Sequence, residues 1–185
     1  NYPYYKYYHY LKRRVTNRLK NEIAEELPGN QIVNRLGSPL EQPQVYLRSG
    51  SLNIGGSGDL IVRGQKVEDG EGDLVIGQNL KFQVGDHDSQ LAFIVNGGQI
   101  IIKDNVDSVS AYLLGDLRCD PAYSCQFILQ GSSDSILTIE GAVTARKILL
   151  GNRQGNISFV YDSRGITGIP GISELINPLS REIAP

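Results

Sequence analysis

Gly56-Ser57-Gly58-Asp59-Leu60-Ile61-Val62-Arg63-Gly64 is followed, fourteen residues on, by Gly70-Glu71-Gly72-Asp73-Leu74-Val75-Ile76-Gly77-Gln78. Both stretches read Gly-x-Gly-Asp-Leu and then enter β-branched residues. A catalytic constellation is needed once in a chain, whereas a stacked sheet needs its corner rule at every turn. Glycine admits the φ > 0 conformation of a tight corner, Asp bonds nearby backbone amides, and Leu starts the next inward strand. The repeated phrase therefore predicts coils.

The surroundings carry the same signal. From Val45 onward the chain is a series of short apolar runs: VYL, LNI, LIV, LVI, LKFQV, LAFIV, QIIIK, YLL, QFIL, ILTI, KILL and ISFVY. Gly, Asn, Asp or Ser separates nearly all of them, which predicts an all-β domain over residues 44–165. Leu52 to Leu60 is eight residues and Leu74 to Leu80 is six. A sandwich typically places a strand every ~8–12 residues, so the shorter intervals favour a β-solenoid (β-helix-like) domain. A β-sandwich or jelly roll stands as the alternative.

The flanks differ from this core. Tyr4, Tyr8, Leu11, Val15, Leu19, Ile23 and Leu27 recur three or four apart, which predicts an N-terminal amphipathic helix over residues 1–27. Pro28-Gly29 stops it. Glu22, Glu25 and Glu26 crowd its last turn, the unfavourable end of the helix dipole, so packing is expected to hold this helix. Residues 28–43 read as a linker, with Pro28, Gly29, Gly37, Pro39 and Pro43 and a short apolar hint at Ile32, Val33 and Leu36. Residues 166–185 read as a C-terminal tail.

Charge is unevenly placed along the 185 residues, whose formal net charge is −2. The first twenty contain Lys6, Lys12, Arg13, Arg14, Arg18 and Lys20 and no acid, so the rest of the chain is acidic. Six of the first ten residues are Tyr. The stripe Tyr4, Tyr8, Leu11, Val15, Leu19 and Ile23 suits a partner-binding helix seam, with protein partners or copies of the same chain. The cations Lys6, Lys12, Arg13, Arg14 and Arg18 are candidate anion-binding residues. Interleaved aromatics and cations suit an anionic membrane surface or, less well, single-stranded nucleic acid. A solvated helix face is the plain reading of the same residues. No apolar run approaches the ~18 residues that span a bilayer.

Chemistry is sparse. Cys119 and Cys125 flank Asp-Pro and Tyr-Ser, a composition that favours a turn and a disulfide closing a small loop. A disulfide points to an oxidising, extracytoplasmic setting. A metal pair is the weaker reading, since zinc usually wants four ligands and the only histidines, His9 and His87, are far away in sequence. GGSGDLIV at 55–62 approaches the calcium-binding nonapeptide, but Asp59 stands one place early, and one residue of slip turns a strand side chain to the other face. No calcium ladder is expected, and isolated sites through Asp59, Asp69 and Asp73 are the remainder of that idea. No G-x-S-x-G elbow exists, and His87 sits between acids as a surface histidine would. Asp104 with Asp107, or Asp59 with Asp73, are the carboxylates a polysaccharide-cleaving solenoid would use. The aromatics that would line a sugar groove are scattered, and the Phe residues are expected in the core. The expectation is a non-enzyme with no cofactor and no metal.

The stretch GAVTARKILLGNRQGNISFVYDSRGITGIPG, residues 141–171, resembles the closing segment of PilX-like, pilus-associated surface proteins, with residues 141–165 carrying the likeness. The resemblance implies a structural, minor pilin-like component of type IV pili, exported and anchored by an N-terminal hydrophobic helix. Residues 4–27 would then correspond to the periplasmic continuation of such a helix. GDLVIGQNLKFQVG is also similar to the Gly-punctuated coils of bactofilin-like polymer subunits, although the Tyr-rich helix and the expected disulfide argue against a cytoplasmic cytoskeletal protein.

Overall fold

The computed structural model describes residues 24–39, 44–86, 89–115, 126–132, 134–153 and 156–162. Twelve strands and one helix make up this part: β1 (Ala24–Glu26), α1 (Gly29–Leu36), β2 (Gln44–Arg48), β3 (Leu52–Val62), β4 (Gln65–Glu71), β5 (Leu74–Phe82), β6 (Gln90–Asn96), β7 (Ile100–Ile102), β8 (Ser108–Gly115), β9 (Gln126–Leu129), β10 (Leu137–Thr144), β11 (Lys147–Leu149) and β12 (Ile157–Val160).

Every pairing among them is parallel. A parallel neighbour that follows within one short circuit means that the chain has gone once round, so the strands wind into a β-solenoid of about five turns. The sandwich alternative needs antiparallel neighbours and is overturned by these pairings. The turns have three faces. The first stacks β1, β2, β4, β6 and the second halves of β8 and β10. The second stacks the first halves of β3 and β5, then β7, β9 and β11. The third stacks the second halves of β3 and β5, the starts of β8 and β10, and β12.

Register gives the true repeat. Leu52 pairs Leu74, Leu74 pairs Ile100, Ile100 pairs Phe127 and Phe127 pairs Ile148, so a turn takes 22, 26, 27 and 21 residues. The fourteen-residue repeat of Gly-x-Gly-Asp-Leu is therefore not the coil period. Its first copy lies at the corner between the second and third faces, where Gly58 has φ 78° and the register slips between Gly55 and Asp59. Its second copy lies at the corner between the first and second faces, where Gly72 has φ 84°. The two corners share a phrase because each needs a left-handed residue followed by an inward Leu. The real partner of Gly72-Asp73-Leu74-Val75-Ile76 is Gly50-Ser51-Leu52-Asn53-Ile54, with Gly50 at φ 81°. There the amide of Asp73 donates to Ser51 Oγ at 3.1 Å and that of Leu52 to the Asp73 carbonyl at 2.7 Å.

The interior is filled by columns. Leu52, Leu74, Ile100 and Phe127 form one, Ile54, Ile76, Ile102 and Leu129 a second, and Leu60, Leu80, Val109 and Ile139 a third. Each rung buries one more apolar residue per column, at about 25 cal/mol per Å² of apolar surface.

Two expectations about the N-terminal side are corrected. Residues 24–26 form a strand, not the end of a helix: they pair with Val45, Tyr46 and Leu47, and the Leu27 amide donates to the Leu47 carbonyl at 3.0 Å. An available parallel edge outweighs a weak helical end loaded with Glu25 and Glu26. The supposed linker contains α1, whose Ile32 and Leu36 are fully buried over the first turn. The Pro28 carbonyl accepts the amides of Gln31 and Ile32, and the Arg63 amide donates to the Leu36 carbonyl, so the helix is tied in at both ends. The remainder of the predicted 1–27 helix lies outside the described residues, and so does the tail.

Candidate functional site

The two ends of the solenoid differ. At the first rung, Leu52 and Ile54 begin their columns at 1% and 0% exposure because Ile32 and Leu36 of α1 sit over them. At the fifth rung the columns run out. Ile148 stacks beyond Phe127 and is 46% exposed; Phe159 stacks beyond Ile139 and is 53% exposed. Val160 and Tyr161 beside them are exposed too. Of the six exposed large apolar side chains among the described residues, these four belong to this rung, so the exposure is concentrated there. Among the described residues, β11 pairs only with β9 and β12 only with β10, leaving one side of each strand unpaired. The sequence places the Phe residues in the core. Phe82, Phe93 and Phe127 are there, but Phe159 occupies an inward position with no rung above it among the described residues.

A second feature lies inside the first face. Arg48 and Glu68 point into the solenoid and are almost wholly buried. Arg48 Nε donates to Glu68 Oε1 at 2.5 Å, and Nη1 donates to the Glu71 carbonyl at 2.7 Å. Gly70 makes room for the pair, since a Cβ there would stand 2.4 Å from Glu68 Oε1 and 2.7 Å from Arg48 Cζ. Arg48 Nη2 and Glu68 Oε2 have no partner. Burial pushes the Glu68 carboxyl up to about 7, with the neighbouring Arg48 charge opposing. Lys66 is buried as well; its Nζ donates to the carbonyls of Ser38 and Arg63, and burial brings it down to about 8. A cleft of ≈ 310 Å³ opens beside this pair, lined by Glu26, Leu47, Arg48, Asp69, Glu71 and Asn96.

Of the carboxylates singled out in the sequence, those of Asp59, Asp69 and Asp73 are held by neighbouring side chains and a backbone amide. Asp59 lies on the third face and accepts from Lys81 Nζ at 2.6 Å and Asn79 Nδ2 at 3.0 Å, bonds that hold its carboxyl below the usual range. Asp69 accepts from Asn96 Nδ2 at 2.5 Å, and Asp73 from the Gln99 amide at 2.8 Å. Asp104 and Asp107 lie in the turn between β7 and β8, where the Asp104 carbonyl accepts from the buried Arg153. The contacts of Asp59, Asp69 and Asp73 tie one turn to the next, whereas Arg153 reaches back across two turns. Among the described residues no group of three His, Cys, Asp or Glu is arranged to hold a metal ion. Tyr4, Tyr8, Leu11, Val15, Leu19, Ile23, Lys6, Lys12, Arg13, Arg14, Arg18, Cys119, Cys125, His9 and His87 lie outside the described residues.

Comparison with protein-family models, with curated proteins and with solved structures finds no match.

Proposed function

We propose that the chain is a non-enzymatic structural subunit of an extracytoplasmic surface assembly, of the pilin-associated kind that its closing segment resembles. In this reading the solenoid is a rigid post, the last rung is a joining surface, and the basic, Tyr-rich residues 1–23 supply a second contact. The observation that carries the proposal is the asymmetry of the ends: a first rung covered by α1 and a last rung that exposes Ile148, Phe159, Val160 and Tyr161.

An unpaired strand edge is a template for pairing with another chain. Covering a half-exposed Ile, Val or Phe contributes roughly 1 kcal/mol each, and the edge adds backbone hydrogen bonds. The first rung also leaves one side of β1 unpaired among the described residues, but α1 covers its apolar columns, so the apolar joining surface lies at the last rung and two copies meet there. That arrangement is two-fold and self-limiting.

The test is a sedimentation series over protein concentration. The expected result is a reversible pair for the unaltered chain and a folded monomer for Phe159→Lys with Val160→Lys. A concentration-independent monomer in the unaltered chain counts against the joining surface. For the compartment, thiol titration of the unfolded protein is expected to find no free Cys119 or Cys125, and two free thiols would remove that part of the proposal.

A further inference from the structure

A solenoid turn normally bonds only to the turns directly before and after it. Arg153 departs from that rule. It lies in the corner between β11 and β12, on the fifth turn, and is fully buried. Its guanidinium ends two turns back, in the corner after β7. There Nη1 donates to the Val106 carbonyl at 2.8 Å, and Nη2 donates to the Lys103 carbonyl at 3.2 Å and to the Asp104 carbonyl. That corner is itself a closed turn, in which the Val106 amide donates to the Lys103 carbonyl at 3.2 Å. Asn105 Nδ2 ties it to the Gly77 carbonyl of the second turn at 2.7 Å. Between the two corners lies Gly131 of the fourth turn. A Cβ there would stand 2.8 Å from Arg153 Cγ and 2.9 Å from Cδ, and closer still to Nε. The side chain therefore passes through the space that this glycine leaves. Nε is buried without a partner, so the three carbonyls hold the group by its two Nη atoms.

We propose that the turn from Lys103 to Val106 is a guanidinium-binding site, filled from within the chain by Arg153, and that this bond latches the fifth turn to the third. Three converging main-chain oxygens select a planar group whose donors are fixed in a fork. A guanidinium is such a group, whereas an ammonium is a single charged centre. Burial disfavours the charge of Arg153, and the nearby carboxylates of Asp107 and Asp104 favour it, so the site suits a cation. The fifth turn is also where a latch has most to do. Among the described residues β11 and β12 are each paired on one side only, and the corner that carries Arg153 joins them. Pinning Arg153 to an inner turn fixes the point from which both edge strands run. The inference concerns how the last turn is held and stands apart from the assembly reading.

Hydrogen exchange in the full chain bearing Arg153→Ala tests it. The expected result is exchange several-fold faster in β11 and β12 and unchanged in β3 and β5. Millimolar ethylguanidinium is expected to restore most of the lost protection by occupying the site, and ethylammonium at the same ionic strength to restore none. Arg153→Lys keeps the charge but loses the fork, and is expected to exchange as Arg153→Ala does. Where Arg153→Ala loses its β-type circular dichroism, its refolding yield in ethylguanidinium against that in ethylammonium gives the same readout. Unchanged exchange in β11 and β12, or an equal rise in β3 and β5, overturns the latch. Rescue by neither cation, or by both equally, overturns the guanidinium site.

Discussion

Arg48 of the first turn reaches into the second, where its Nε meets Glu68 Oε1 at 2.5 Å above the bare backbone of Gly70. The register that places Arg48 opposite Gly70 makes this contact, since any larger residue at 70 would fill the space the ion pair takes. Three residues from two turns are thereby coupled.

That coupling is measurable in a double-mutant cycle. Arg48→Met leaves Glu68 buried without its counter-charge and is expected to destabilise the fold by about 3–5 kcal/mol. Gly70→Ala in the unaltered chain forces the pair apart, whereas in the Arg48→Met background the obstruction is smaller. The expected coupling between positions 48 and 70 is about 1 kcal/mol or more, read by urea denaturation. Additive losses would show that Gly70 does not serve the pair.

The same interior sets a pH dependence. The Glu68 carboxyl moves from an ordinary value of 4.5 up to about 7 on folding, so the folded chain binds its proton more tightly. Stability therefore falls as pH rises from about 4.5 to about 7. Lys66 gives the opposite limb: its ammonium drops from 10.5 to about 8, the unfolded chain binds the proton more tightly, and stability rises across that window. Denaturation midpoints measured across pH are expected to show both limbs, with Glu68→Gln flattening the first and Lys66→Met the second.

Removing the cover from the first rung is predicted to change assembly as well as stability. Ile32→Ala and Leu36→Ala each empty a fully buried site and are expected to cost about 2–5 kcal/mol. Ile32→Asp with Leu36→Asp goes further and detaches α1, exposing the tops of the columns that begin at Leu52 and Ile54. With both ends open, contacts can propagate without closing. Light scattering is then expected to find species larger than a pair, provided circular dichroism shows the β-domain still folded.

The corner glycines separate backbone strain from crowding. Gly85 has φ 79° with open space around it, so Gly85→Ala is expected to cost only the left-handed backbone term, about 1–2 kcal/mol. Gly72 has φ 84°, and a Cβ there would lie 3.0 Å from the backbone of Gly50 and Ser51. Gly72→Ala is therefore expected to cost more than Gly85→Ala in thermal melts, because the stacked corner cannot give way without shifting the rung before it. Equal costs would mean that the corner relaxes freely.

Taken alone, the residues determined a β-rich domain and favoured a winding one, and the parallel pairings decided against the sandwich. Runs of three to five apolar residues, cut by Gly and Asn, are too short for helices, and several are spaced more closely than sandwich strands usually are. The unbroken Leu91-Ala92-Phe93-Ile94-Val95 is one of these runs, and only the structure shows it buried on both sides. The runs and their spacing are local facts, written in side-chain size and backbone freedom. The coil period was not local: Gly58-Asp59-Leu60 and Gly72-Asp73-Leu74 look alike because both turn a corner, and only the pairing of Leu52 with Leu74 tells one corner from the other. The strand at Ala24–Glu26 likewise depended on a free edge at Val45–Leu47, which outweighed a helical spacing. Tertiary structure alone also decided that Arg48 meets Glu68 and that Phe159, inward by its register, is half exposed, with no described strand stacked beyond it. Both follow from which residue of one turn lies over which residue of the next, and that order exists only after the chain has closed its circuits.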